Sequence, residues 1–199
     1  MRRRGALAAL CAAGLACSDT RRPPPVAHVT EPSDVDVLRE HVAREPGDSA
    51  AWFHLADLYE RAGLYPEEVE ALRKVLALDP AMAYAHLKLG NAYNRLGDHP
   101  AAVESLLRAE KTIKNQPVLY NNLGVSYGRV GRSGDELTAL RKAIALRPRY
   151  ATAHFNLGMA LLARGDRAAA AEECRVLDGF DEGAAASLRK EIDARGRSR

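Results

Sequence analysis

The string Gly124-Val125-Ser126-Tyr127-Gly128 has the G-x-S-x-G spacing that presents a serine nucleophile when it sits on a strand-to-helix elbow. Here the string falls inside a stretch of helical periodicity, so Ser126 is expected to be enclosed in a helix and no catalysis is assigned to it. A serine hydrolase built on Ser126 is the remote alternative. The six histidines form no H-E-x-x-H pattern and no pairing with spaced cysteines, so no metal site is expected. No glycine-rich phosphate loop appears, and no cofactor is expected. His86 and His154 recur at the place that Trp52 and Tyr120 occupy elsewhere in the chain, which favours packed, hydrogen-bonded imidazoles over metal ligands. Cys174 takes a place held by leucine elsewhere and has no partner once Cys11 and Cys17 are accounted for below, so it is expected to be a buried, inert thiol.

These residues sit in a chain of 199, enough for one domain or one short repeat array. Aromatic residues make up 6% and hydrophobic residues 47%, with Ala and Leu far ahead of Val and Ile. That balance favours helix and argues against an all-β fold. Charged residues are 28% and nearly balanced, and the formal net charge is +3. Removing Arg2, Arg3 and Arg4 with the leader brings that charge to zero. A neutral surface argues against nucleic acid as the main partner, because that binding rests on clustered Lys and Arg releasing counterions.

Three arginines followed by the apolar run from Gly5 to Ala16 have the layout of a secretory signal, residues 1–16. A helix of a dozen residues reaches only about 18 Å, too short for a hydrocarbon core of ~30 Å. The run ends Gly14-Leu15-Ala16-Cys17-Ser18, which resembles the lipobox of bacterial lipoproteins. That resemblance implies diacylation of Cys17 and a lipid anchor at the envelope, with Ser18 compatible with the outer membrane. Gly14 departs from the bulky residue usual at its place. Ordinary cleavage, leaving a secreted or periplasmic soluble protein, is the alternative. Residues 17–33 are polar and carry Pro23, Pro24 and Pro25 in a row, the composition of an extended tether.

From residue 49 the sequence repeats itself. Frames beginning at Ser49, Ala83, Pro117 and Ala151 lie 34 residues apart. In that register Leu55, Leu89, Leu123 and Leu157 share a column, followed by Ala56, Gly90, Gly124 and Gly158. Tyr59, Tyr93 and Tyr127 share another. Gly63, Gly97, Gly131 and Gly165 mark a turn, and Leu72, Leu106, Leu140 and Cys174 a second helix. Within Ser49 to Ala62 the apolar residues Trp52, Leu55, Ala56 and Tyr59 recur at spacings of three and four, one face of a helix. Val69, Leu72, Val75 and Leu76 mark the second helix, which Asp79-Pro80 ends.

This pattern resembles the tetratricopeptide repeat, a helix-turn-helix unit of 34 residues. The resemblance implies an all-α, right-handed superhelical solenoid of antiparallel helix pairs. It divides the chain into an N-terminal half-repeat helix (34–48), four units (49–184) and a capping helix (181–195). Glu68 and Glu136 stand where the family has Ala, as Ala102 and Ala170 do here, so the first and third pairs are expected to pack more loosely. Lys114 replaces a closing proline.

In the family the first helices of successive units line a concave groove that holds an extended peptide or a partner helix. Matching columns make the groove Phe53, Asp57 and Arg61, then Tyr84, Leu87, Asn91, Asn94 and Arg95. Asn121, Val125 and Arg129 follow, then Thr152, Phe155, Met159 and Leu162. The amides of Asn91, Asn94 and Asn121 suit clamping of a bound backbone, or they simply keep a helix face soluble. Phe155, Met159 and Leu162 form a stripe that either receives a partner helix or is covered by the C-terminal helix. The implied function is a non-catalytic adaptor supporting an envelope, pilus or secretion complex, with a recruiting subunit of a peptidoglycan hydrolase or protease as the alternative. The expected partners are a protein or peptide and the membrane, with no small-molecule substrate.

Overall fold

The computed structural model describes residues 33–196. Ten helices and no strand occur among them. They are α1 (Asp34–Arg44), α2 (Ser49–Ala62), α3 (Tyr65–Leu78), α4 (Ala83–Leu96), α5 (His99–Glu110), α6 (Pro117–Arg129), α7 (Ser133–Leu146), α8 (Ala151–Ala163), α9 (Arg167–Asp178) and α10 (Glu182–Gly196). None of the described helices is long and apolar enough to cross a membrane. The leader, Cys17 and the proline tether lie outside the described residues.

Local chemistry sets where each helix stops. Gly63 ends α2 at φ 72° and Gly97 ends α4 at φ 81°, a left-handed conformation that costs a side-chain-bearing residue about 1 kcal/mol or more. Asp48, Asp98 and Asp166 cap the starts of α2, α5 and α9, their carboxylates accepting from the backbone N–H of Ala51, Ala101 and Ala169. Pro66 and Pro100 occupy the first turns of α3 and α5, where a missing N–H costs nothing. The reversals are therefore short, and consecutive helices run antiparallel as pairs α2/α3, α4/α5, α6/α7 and α8/α9.

Each pair closes on leucine. Leu55, Leu72, Leu106, Leu123, Leu140 and Leu157 are all buried, each contributing roughly 1.5–3 kcal/mol of transfer free energy. The closest approach falls at the mid-helix glycines. A Cβ added to Gly90 would lie 2.5 Å from Leu106 Cγ, and one added to Gly124 2.6 Å from Leu140 Cγ. The near equality of these distances corrects the expectation of a looser third pair. Gly128 makes the difference, because a side chain there would collide with the carboxylate of Glu136. The first pair is closed as well, with Glu68 only 1% exposed.

The fourth pair is finished differently. Cys174, smaller than the leucine of its column, is a free, buried thiol whose Sγ donates to the Ala185 carbonyl at 3.3 Å. Leu188 of α10 enters the space and comes to lie over Gly158, where an added Cβ would be 2.5 Å from Leu188 Cδ2. Helix α10 packs on both α8 and α9 and covers the last apolar face.

Gly124→Ala is expected to destabilise the protein by about 1–3 kcal/mol through overpacking against Leu140. Gly134→Ala, in the first turn of α7 with nothing within 4 Å of the added methyl, should stabilise by up to ~1 kcal/mol. Urea melts of the two variants test the column assignment, which fails if they shift the midpoint in the same direction.

Candidate partner-binding groove

The first helices of the four pairs, α2, α4, α6 and α8, form the inner face. Helix α4 touches α6 and α6 touches α8 directly, whereas the second helices make no comparable contact with one another. Curvature toward α4, α6 and α8 follows, and the residues they turn away from their partners line a groove.

The groove side chains anticipated from the repeat columns divide into three groups. Tyr84, Arg61, Arg95, Arg129 and Thr152 are exposed. Tyr84 is the largest of them at 55% exposure, and its hydroxyl accepts from Gln116 Nε2 at 3.4 Å. Phe53, Asp57, Asn91, Asn94, Val125, Phe155 and Met159 are half-buried, and Leu87, Asn121 and Leu162 are buried. The stripe Phe155, Met159 and Leu162 belongs to the cluster that also holds Leu188 and Ile192 of α10, with Phe155 and Met159 left partly open.

The asparagines form a ladder across three helices. Asn122 Nδ2 donates to Asn91 Oδ1 at 2.5 Å, Asn121 Nδ2 to Asn122 Oδ1 at 3.1 Å, and Asn156 Nδ2 to Asn121 Oδ1 at 2.9 Å. Asn94 Nδ2 adds a bond to the Asn122 carbonyl at 3.4 Å. These amides bind α4 to α6 and α6 to α8, and little of Asn121, at 4% exposure, is left for a bound chain. Ser126 lies beneath the ladder with no exposed surface. Its hydroxyl donates to the Asn122 carbonyl at 2.7 Å and stands 2.9 Å from Asn94 Oδ1. Backbone bonding within a helix is the ordinary fate of such a serine.

The histidines are structural too. The His86 and His154 Nε2 atoms each lie 3.0 Å from the carbonyl of the proline six residues earlier, Pro80 and Pro148, and Trp52 Nε1 donates to Pro46 at 3.1 Å. A ring N–H at this place ties the start of each unit to the turn before it. Repeat three, which has Lys114 and Tyr120 there, lacks the pair. His154 Nδ1 also faces Glu173 at 2.6 Å, and no group of metal-ligating side chains occurs among the described residues.

The features that sequence columns did not bring out are charged. Lys88, on α4, reaches back to α2, its Nζ 2.8 Å from Asp57 Oδ1 and paired with Glu60, and it stands 5.8 Å from the Phe53 ring centroid. Burial works to lower the Lys88 pKa, but the bonds to Asp57 and Glu60 override it and leave it raised. Glu68 sits behind this cluster with Oε2 unbonded. Burial first, then the neighbouring Glu60, push the Glu68 pKa up to about 7, against a partial counter-pull from Lys88. The visible signal for Glu68 and Glu136 was a carboxylate in an alanine column. Nothing in the spacing said that Lys88 would answer the first of them.

A successive inner face of helices, ladder-locked and presenting polar and aromatic side chains, defines a solenoid of the protein-interaction class. The chain belongs to the tetratricopeptide repeat family, whose model matches residues 35–83, 69–117 and 121–189. No curated protein sequence matches it significantly. Among solved structures, MamA 41-end from Desulfovibrio magneticus RS-1 is similar with a TM-score of 0.70 at 22% identity, covering 74% of this chain and 86% of that one. YrrB, described as a TPR protein with an unusual peptide-binding site, gives 0.66 at 19% identity over 83% and 86%. TTC0263, a thermophilic TPR protein of Thermus thermophilus, gives 0.62 at 19% identity over 81% and 88%. At these identities the likeness is one of fold.

Because Glu68 binds its proton more tightly folded than unfolded, the unfolded state loses protons first as pH rises from about 4.5 to about 7, and stability falls across that window. Glu68→Gln removes the penalty. Its stability relative to the parent should rise by about 2 kcal/mol between pH 5 and pH 8. Urea melts at the two values measure this, and a pH-independent difference would mean that Glu68 ionises normally in the fold.

Proposed function

We propose that this chain is a non-catalytic adaptor of the bacterial cell envelope that holds a protein or peptide partner in the groove of α2, α4, α6 and α8. The observation that carries the reading is the division of labour on that face. The asparagine ladder fixes the helices, while Tyr84, Arg95 and Arg129 stand exposed above it with no intrachain ion pair among the described residues. Side chains held on a rigid scaffold and left unpaired suit binding more than stability. The burial of Ser126 supports the adaptor reading over a hydrolase.

The envelope assignment rests on the sequence of residues 1–33. A basic start, a short apolar run and a cysteine after Gly14-Leu15-Ala16 support export and acylation of Cys17, and the proline-bearing tether suits a domain held off a lipid surface. Acyl chains there would hold the protein far more firmly than a single myristoyl group does.

Two measurements test the two halves separately. Cys17→Ser should move the protein from the membrane to the soluble envelope fraction, and an unchanged distribution removes the lipid anchor. Tyr84→Ala combined with Arg95→Glu should cut partner capture from envelope extract about tenfold or more while leaving the melting temperature within about 2 °C, since neither side chain is in the core. Capture that survives the double substitution moves the partner off this face.

A further inference from the structure

Repeats one and three carry glutamate where repeats two and four carry Ala102 and Ala170, and the two carboxylates meet different surroundings. Around Glu68 the space is filled by the chain itself. Lys88, sixth residue of the following repeat, holds its ammonium between Asp57 and Glu60, facing the Phe53 ring and close enough to pull on the proton of Glu68. Two substitutions alter the same place two repeats further on. The residue corresponding to Lys88 is Asn156, too short to reach and engaged with Asn121 at 2.9 Å. The residue corresponding to Glu60 is Gly128, with no side chain at all.

What remains there is a pocket of about 300 Å³ between α6 and α8, lined by Val125, Gly128, Glu136, Leu140, Asn156 and Met159. Val125, Leu140 and Met159 make its aliphatic side, Asn156 and Arg129 add polar groups, and its one carboxylate, Glu136, has no hydrogen-bond partner among the described residues. Burial raises the Glu136 pKa, and the positive charge of Arg164 offsets this only in part. Arg129 lines the pocket and Arg164 acts on Glu136 through its charge; both are exposed, and neither forms an ion pair with Glu136. A half-buried, unbonded carboxylate beside aliphatic side chains fits a cation on a methylene stem, which can contact those side chains and complete the carboxylate.

We propose that the pocket between α6 and α8 receives a lysine side chain of a partner polypeptide, its ammonium bonded to Glu136. Lys88 enters the corresponding place between α2 and α4 but is held there by Asp57 and Glu60, whose counterparts Val125 and Gly128 leave Glu136 as the anion in this pocket. This rests on the groove reading above and adds the chemistry of its guest.

A substitution cycle tests the pocket without any partner. Asn156→Lys and Asn156→Met both lose the bond to Asn121, so that loss cancels between them. With Glu136 present the lysine variant should melt about 3 °C or more above the methionine variant, and with Glu136→Gln the difference should vanish. Equal melting in the Glu136 background overturns the proposal. In parallel, a phage library of random decapeptides is panned against the full chain. Enriched peptides should carry lysine, replacement of that lysine by norleucine should weaken binding about tenfold, and Glu136→Gln should reduce the parent affinity to the norleucine value. Peptides that bind equally with norleucine, or equally to the Glu136→Gln protein, overturn the pocket while leaving capture in the groove intact. A library with no enriched peptide counts against capture itself, and the substitution cycle then decides the pocket alone.

Discussion

The structure depends on one close approach, that of the first helix of a pair to a leucine at its mid-point, made possible where the first helix has no side chain. Gly90 against Leu106, Gly124 against Leu140 and Gly158 against Leu188 are three instances of this contact. A glycine in mid-helix costs about 1 kcal/mol relative to alanine, and burying a leucine against bare backbone more than offsets that. With the pair fixed at this point, its other contacts have little freedom. A carboxylate at the neighbouring column must be accommodated by changing something else, and in repeat three the change is Gly128.

Much of the architecture could be read from the sequence because that contact recurs with a fixed period. Turn glycines, the closing prolines at Pro80 and Pro148 and the leucine columns each have a local cause that survives translation from one repeat to the next. The finish of the array was harder to read. Cys174 in a leucine column shows a smaller residue, but that Leu188 would cross from α10 to fill the space depends on packing between segments with no common period. Likewise the stripe Phe155, Met159 and Leu162 had two possible covers, and only the three-dimensional packing of α10 on α8 shows how much of it is taken.

The groove was legible as a set of positions and illegible as a set of roles. Asn91, Asn94 and Asn121 have the chemistry to hold a foreign backbone, yet an amide that faces another amide across roughly 8–10 Å of helix spacing bonds to it first. That spacing is a property of the assembled solenoid. The exposed arginines differ: Arg61, Arg95 and Arg129 fall on the same column, and the last turn of an α-helix favours a cation there whatever it binds.

It follows that residues common to all repeats carry the scaffold, and residues by which the repeats differ set the chemistry of each junction. Along the groove the first junction is ionic, with Lys88 held by Asp57 and Glu60, and the second is amide-bonded through Asn91 and Asn122. The third combines the Asn156–Asn121 amide bond with a pocket in which Val125, Leu140 and Met159 stand beside one carboxylate, Glu136. An extended chain advances about 3.3 Å per residue, so neighbouring junctions about 9 Å apart meet side chains roughly three residues apart. At the first junction Lys88 holds Asp57 and Glu60 while Glu68 Oε2 stays unbonded, and at the second the amides satisfy one another. At the third the half-buried Glu136 carboxylate has no hydrogen-bond partner among the described residues and opens onto the pocket, and a carboxylate left unpaired there costs folding free energy that a bonded cation offsets.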